Sequence, residues 1–439
     1  MTYFSKRLAA TVIAVCLGAP FSVHATNGYQ LIGVGSYQKS MGGAVTSNPD
    51  TAMTAISNPA GMARVGKRAD FNMEMFMPDR FVDFGATGAK EDSAAELYGV
   101  PAIGWTAPVS DDRPDLYFGG GMYGTSGLGA DYASTLIGGN NYFDGYSSIA
   151  FWQMAPTLAW NVDERLSLGV ALNLDYQSVA FKQRIMQDAI GGDGIPDTTV
   201  QNFDLSRNAQ GLGIGATVGL IYDINDRITV GASYKSKQEF SDMEYQLAPG
   251  DLLNLDPSTA TGCNVPVAGG FACPGGTYDL ELDYPQQLAA GITFRPGKRV
   301  EVSADIKWVD WSSTMKEIKI TGPAGAQVIL PANWDDQTIY AIGVHYEATD
   351  RFHVRAGFNY AEAPFDDEDV SANLILPATV ETHYAIGADY HLNNRWDIGF
   401  HYMIAPEQTF QAPANDPLAP GVEIGLSEQS FGIDLGYRF

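Results

Sequence analysis

The chain has 439 residues, 51 of them acidic and 26 basic, for a formal net charge of −25. An acidic balance of that size repels polyphosphate and argues against a nucleic-acid partner. Past residue 25 no apolar stretch is long enough for a transmembrane helix, so any crossing of a bilayer falls to strands.

At the N-terminus, Lys6 and Arg7 precede an apolar run over residues 8–18, and Val23 and Ala25 stand where a small-residue cleavage site needs them. This reads as a secretory signal over residues 1–25. Cys16 raises a lipoprotein alternative, but Val15 occupies the place where that processing wants a small residue. Removal of Lys6 and Arg7 takes the charge from −25 to −27.

Residues 26–67 have no strand period and are rich in Gly, Ala, Ser and Asn. Asn48-Pro49-Asp50 could open a short helix that Asn58-Pro59 ends. A disordered tail is one reading. However, Leu31, Ile32, Val34, Met41, Val45, Met53, Ile56 and Met62 are apolar enough to pack, which favours a plug inside a lumen.

From Ala69 to Phe439 the pattern changes to period two. In 166–176, Leu166, Leu168, Val170, Leu172, Leu174 and Tyr176 share one face, and Ser167, Gly169, Ala171, Asn173 and Asp175 share the other. Residues 395–402 and 431–439 alternate in the same way. Short connectors at 111–114, 162–164, 223–226, 296–298, 348–350 and 392–394 carry turn residues. Long connectors at 85–96, 125–147, 183–206, 241–277, 321–335, 362–381 and 405–427 alternate with them. About fourteen antiparallel strands over residues 68–439 make an all-β transmembrane barrel of the bacterial outer-membrane kind, with its short turns in the periplasm. Tyr222, Phe294, Tyr346, Tyr390 and Tyr437 precede short turns or the C-terminus and form an interfacial girdle. A soluble sandwich would also alternate, but these strands are too many and too long for one. The last strand must then close on the first, because a free apolar edge would be hazardous.

Cys263 and Cys273 remain in the exported chain and are expected to pair in an external loop. No cofactor or metal is expected. His345, His353, His383, His391 and His401 belong to no Ser/His/Asp motif and read as polar lumen residues, so an outer-membrane enzyme is the weaker reading. Asp366–Asp369 lacks the spaced ligands of a calcium loop. On the strand phases Lys235, Lys307 and Arg355 point inward, where a cation could meet an acidic ligand or pair with Asp175, Asp305, Asp389 or Asp397.

The stretch NGYQLIGVGSYQKSMGGA, followed by DTAMTAISNPAGMA, resembles the N-terminal hatch of FadL-like long-chain fatty-acid transporters, and Asn58-Pro59-Ala60 matches that family's NPA triplet. The likeness extends to TSGLGADY and to the closing strands from WDDQTIYAIGVHY onward. It implies transport of fatty acids, or of aromatic or aliphatic hydrocarbons, across the outer membrane of a Gram-negative cell by a monomer. Long loops would capture the ligand beside lipopolysaccharide, a lumenal pocket would hold it above a hatch over residues 26–67, and a kink in the third strand would release it sideways. Gly119, Gly120 and Gly121 are the candidates for that kink, with close approach of another backbone as the alternative. The family's inward Arg on the fifth strand is not clearly matched, and Ser178 falls near its place. The terminal Phe439 resembles the signal read by outer-membrane assembly machinery. A general diffusion porin is the remaining alternative, and it would conduct ions freely.

Overall fold

The computed structural model describes residues 27–85, 88–189, 194–267, 270–416 and 419–439. The expected signal sequence lies outside the described residues. Fourteen antiparallel strands form a closed barrel. They are β1 (Arg68–Asp83), β2 (Tyr98–Ser110), β3 (Arg113–Gly138), β4 (Asn141–Met154 and Thr157–Asn161), β5 (Leu166–Gln187), β6 (Thr198–Asn225), β7 (Ile228–Lys235), β8 (Gln287–Phe294), β9 (Val300–Val309), β10 (Gln337–Glu347), β11 (Phe352–Tyr360), β12 (Thr382–His391), β13 (Trp396–Gln411) and β14 (Glu423–Arg438). The last pairs with the first in an unbroken register from Arg68 opposite Arg438 to Asp83 opposite Glu423. Among the described residues the closed barrel sheet therefore has no long free edge to seed aggregation.

The alternation sets which way each side chain faces. Leu168, Leu172 and Ile398 are 39%, 45% and 43% exposed, whereas Ser167 and Asn173 are each 1% exposed. The exposed set is the apolar one, as a wall facing lipid requires. Three of the short turns share one device. Asp163 accepts from the amides of Arg165 and Leu166, Asn225 from Arg227 and Ile228, and Asn393 from Arg395 and Trp396. A side chain that bonds its own backbone two and three residues on closes a tight turn without help from elsewhere.

The long connectors differ from expectation. Much of 125–147, 183–206 and 405–427 is strand rather than loop: β3 and β4 meet at a turn near Gly139, and β5 and β6 have 22 and 28 residues. A crossing needs only about ten residues, so the excess stands outside the bilayer. There the outward face no longer meets lipid and the strict alternation lapses, which is why the sequence conceals these extensions. The β7–β8 and β9–β10 connectors build a second, five-stranded sheet around Met243, Tyr245, Leu280, Ile320 and Val328. Its strands have two to six residues, too few for a readable period. Cys263 and Cys273 form a disulfide in the first of these connectors.

Residues 27–67 hydrogen-bond to strands all around the ring. Ser36 N donates to Asp434 of β14 (2.8 Å), Val45 N and Thr46 N donate to Asp305 of β9 (2.9 and 2.8 Å), and Ala52 N donates to Asp70 of β1 (2.8 Å). Thr106 of β2 donates to Met62 O (3.2 Å). The segment holds a helix α1 (Gly35–Ser40), a helical turn α2 (Thr54–Ser57) and a 3-10 turn (Pro59–Ala63). The helix expected to open at Asn48-Pro49-Asp50 begins instead at Thr54, although it ends at Asn58 as expected. No helical period announced α1, because it is buried on every side. Its Lys39 is fully buried and reaches Glu74 of β1 at 3.0 Å.

Candidate functional site

A cavity of about 90 Å³ lies between the N-terminal segment and the inward faces of β6 to β11. Gln30, Ile32, Ile56 and Ser57 line it from the segment, and Lys235, Asp305 and Lys307 line it from the strands. The period-two register carries Lys235 at the end of β7 and Lys307 near the end of β9 to within two residues of one another on either side of β8, where Gln287 pairs with Lys235 and Ala289 with Lys307. Lys235 Nζ donates to Gln153 Oε1 at 3.0 Å and Lys307 Nζ donates to Gln30 Oε1 at 2.9 Å. Both ammonium groups thus bond neutral amides. Asp305 is turned to the backbone amides of Val45 and Thr46 instead.

Arg355, the third inward cation, is not in this cavity. It pairs with Asp389 of β12, donates through Nε to Ser40 Oγ at 2.8 Å, and stands 5.2 Å from the centre of the Tyr37 ring. For this residue the carboxylate alternative holds, because its counter-ion is supplied from the neighbouring strand.

Asn58-Pro59-Ala60 does not line the cavity either; Ile56 and Ser57 just before it do. Asn58 Oδ1 accepts from Ala60 N (3.1 Å), while Nδ2 donates to Thr46 O (2.7 Å) and Leu220 O (3.0 Å). Pro59 opens the 3-10 turn, where its missing N–H costs nothing. The triplet seats on β5 and β6 at two glycines. A Cβ on Gly169 would come within 2.3 Å of Ala60 N, and one on Gly219 within 2.0 Å of Asn58 Oδ1. The small inward face of β5 is a sequence signal that could have found this seat.

Gly119, Gly120 and Gly121 remain paired with Thr106, Trp105 and Gly104 of β2, so the ladder does not open there. Gly120 has φ +132°, and a Cβ on it would lie 2.1 Å from Ala155 O, where β4 breaks at Ala155-Pro156. The close backbone at this point is a neighbouring strand rather than the N-terminal segment. The strands part a few residues later. The last β2–β3 pair is Ala102 with Tyr123, after which Tyr98–Pro101 pair only with β1. The N-terminal segment takes over the vacated edge: Leu31 N donates to Thr125 O (3.1 Å), and Gly127 N donates to Tyr29 O (3.0 Å). A cavity of about 260 Å³ opens at this parting, lined by Leu31, Phe76, Val100, Leu128, Ile149 and Phe151 among others. Sequence reasoning missed Gln30 and Gln153. The inward phase of β4 could have pointed to Gln153, whereas Gln30 sits in a segment without a period.

A family model described as outer membrane protein transport protein (OMPP1/FadL/TodX) matches residues 24–439. The chain is 27% identical to the 47 kDa outer membrane protein of Pasteurella multocida over 52% of its own length and 50% of that relative. It is 23% identical to outer membrane protein P1 of Haemophilus influenzae, over 69% of its own length and 65% of that relative. It thus spans about half to two thirds of these relatives. Among solved structures, the P. putida toluene transporter TodX superposes with a TM-score of 0.73 at 21% identity, covering 93% of this chain and 99% of that one. A Pseudomonas aeruginosa FadL homologue superposes with a TM-score of 0.71 at 16% identity, covering 94% and 100%. With the barrel closed at the same strand number and the match running to the last residue, the chain belongs to the OMPP1/FadL/TodX family of outer membrane transport proteins.

Proposed function

We propose that this chain takes up hydrophobic compounds with an acidic head, long-chain fatty acids foremost, and releases them sideways between β2 and β3. The observation that carries the acid preference is the pair Lys235 and Lys307, a buried and a half-buried cation in one cavity that bond carboxamides rather than carboxylates. A carboxylate guest would accept charge-assisted bonds from both, each stronger than the amide bond it replaces. The cavity of about 90 Å³ has room for a few water-sized groups and so suits a head group. The alkyl chain would lie toward the apolar cavity of about 260 Å³, which shares Leu31 with it. Each buried methylene contributes ~0.8 kcal/mol, so the chain supplies most of the attraction and the lysines supply selectivity.

In this reading residues 27–67 act as a hatch. Leu31 touches both cavities, and its amide holds the edge of β3, so a shift of this stretch joins the two spaces. The ligand would arrive from the external sheet beside lipopolysaccharide, and one chain would suffice for the path. Uptake of aromatic or aliphatic hydrocarbons by the same route is the second reading. The apolar lining of the larger cavity favours it, and one solved relative is named as a toluene transporter.

Uptake of labelled oleate and labelled toluene, in cells that lack their own transporter, separates the two. In Lys235→Ala/Lys307→Ala, oleate uptake should fall about tenfold or more, since charged hydrogen bonds contribute roughly 1.5–3 kcal/mol each, while toluene uptake stays the same. Equal loss of both substrates, or of neither, would sink the acid preference.

A further inference from the structure

Three histidines lie side by side on the inward face near the short-turn end of the barrel, on adjacent strands: His345 on β10, His353 on β11 and His391 on β12. The rings of His345 and His353 are 5.2 Å apart, and those of His353 and His391 are 4.8 Å apart. Asp389, two residues before His391, joins them. One ligand atom each from His345, His353 and Asp389 falls within a sphere of contacts no wider than 4.8 Å.

The partners of each group are unevenly used. Asp389 gives one oxygen to Arg355, and the other stands 3.2 Å from His353 Nδ1. That separation is close to the edge of a tetrahedron with metal–ligand bonds of about 2.0–2.1 Å. His345 is 8% exposed; its Nδ1 faces Glu301 Oε2 at 3.3 Å, and its Nε2 is buried with no hydrogen-bond partner. A carboxylate on one imidazole nitrogen, with the other buried and unpartnered beside a second histidine and a carboxylate, is the arrangement that orients a metal-ligating histidine. The side chains of His353 and Asp389 are each 14% exposed, and His353 lies just past the 348–350 turn, so the group can be reached from the periplasm.

We propose that His345, His353 and Asp389 bind a divalent transition cation of the zinc class, with Glu301 as the residue that positions His345. Two imidazoles and one carboxylate leave a fourth position for water, a donor set that suits zinc over calcium or magnesium. The Arg355 guanidinium beside Asp389 and the Arg295 guanidinium 2.7 Å from Glu301 Oε1 oppose a cation and temper affinity. Because Arg355 also donates to Ser40 of α1, a bound ion would brace three strands beneath the N-terminal segment.

The test uses untagged full-length protein in detergent. Zinc is titrated in competition with a chromophoric chelator, and cobalt is used as a spectroscopic stand-in. One zinc per chain should bind, with a dissociation constant at least tenfold weaker in His345→Gln and in His353→Gln and roughly ten- to a hundredfold weaker in Glu301→Gln. Bound cobalt should give the intense visible bands of a four-coordinate site in the native protein, a readout independent of whether a variant folds. Zinc binding that is undiminished in the combined His345→Gln/His353→Gln variant, or a cobalt spectrum that stays that of the hydrated ion, would overturn the site.

Discussion

Leu172 and Asn173 are neighbours in sequence with opposite surroundings. The first is 45% exposed toward lipid; the second is 1% exposed and donates to Thr217 Oγ1 at 3.0 Å across to β6. The period of two alone decides which is which. Leu172→Arg puts a charge on the lipid face of a mid-strand position and should lower folding stability by ~2–4 kcal/mol. Asn173→Ala removes one buried hydrogen bond and should cost about 1 kcal/mol. Urea titrations of the two variants refolded into lipid vesicles measure both, and equal losses would show that the facing is misassigned. At the same scale, the phase of β7 and β9 made Lys235 and Lys307 legible as inward cations. That they share a cavity depends on register across β8, which no single strand reports.

At the scale of the element, the β2–β3 pair is the irregular part of the wall. Its glycines suggested an opening, yet Gly119, Gly120 and Gly121 keep their partners, and the strands separate beyond Tyr123. The physical reason is competition for one strand edge, since the amides of residues 29–31 can satisfy β3 only where β2 has left it. A Cβ placed on Gly124 would lie 2.8 Å from Val100 Cγ1, so the two walls of the cavity nearly touch there. Val100→Cys combined with Gly124→Cys should therefore form a disulfide across the parting. Oxidised protein should lose ligand uptake and regain it on reduction, with folding unchanged by heat-modifiability on gels. Unimpaired uptake by the verified disulfide form would exclude passage between these strands.

At the scale of the whole molecule, the barrel and residues 27–67 complement one another in charge. Asp434, Asp305, Asp70 and Glu74 each receive a backbone amide or an ammonium from the segment. A barrel of this size without contents would be a water-filled channel. Deleting residues 27–67 while keeping residues 1–26 should raise ion conductance in planar bilayers well above that of the full chain and abolish selective uptake. Conductance equal to that of the full chain, in protein shown to be a folded barrel, would mean that the segment does not obstruct the lumen.

The sequence by itself determined the wall of this protein. Strand number, facing, the short turns and closure all follow from period two and from local Asn and Asp chemistry, which act over a few residues and leave a local trace. The small inward face of β5 was legible too, but not that the NPA triplet seats on it. The tertiary structure decided what stands inside and above the wall. Helix α1, buried on every side, needs no period. The external sheet is made of strands too short to show one. Lys235 meets Lys307, and His345 meets His353 and Asp389, only because barrel curvature and register bring residues of separate strands together. Such meetings depend on long-range pairing, and pairing leaves no mark on either strand alone.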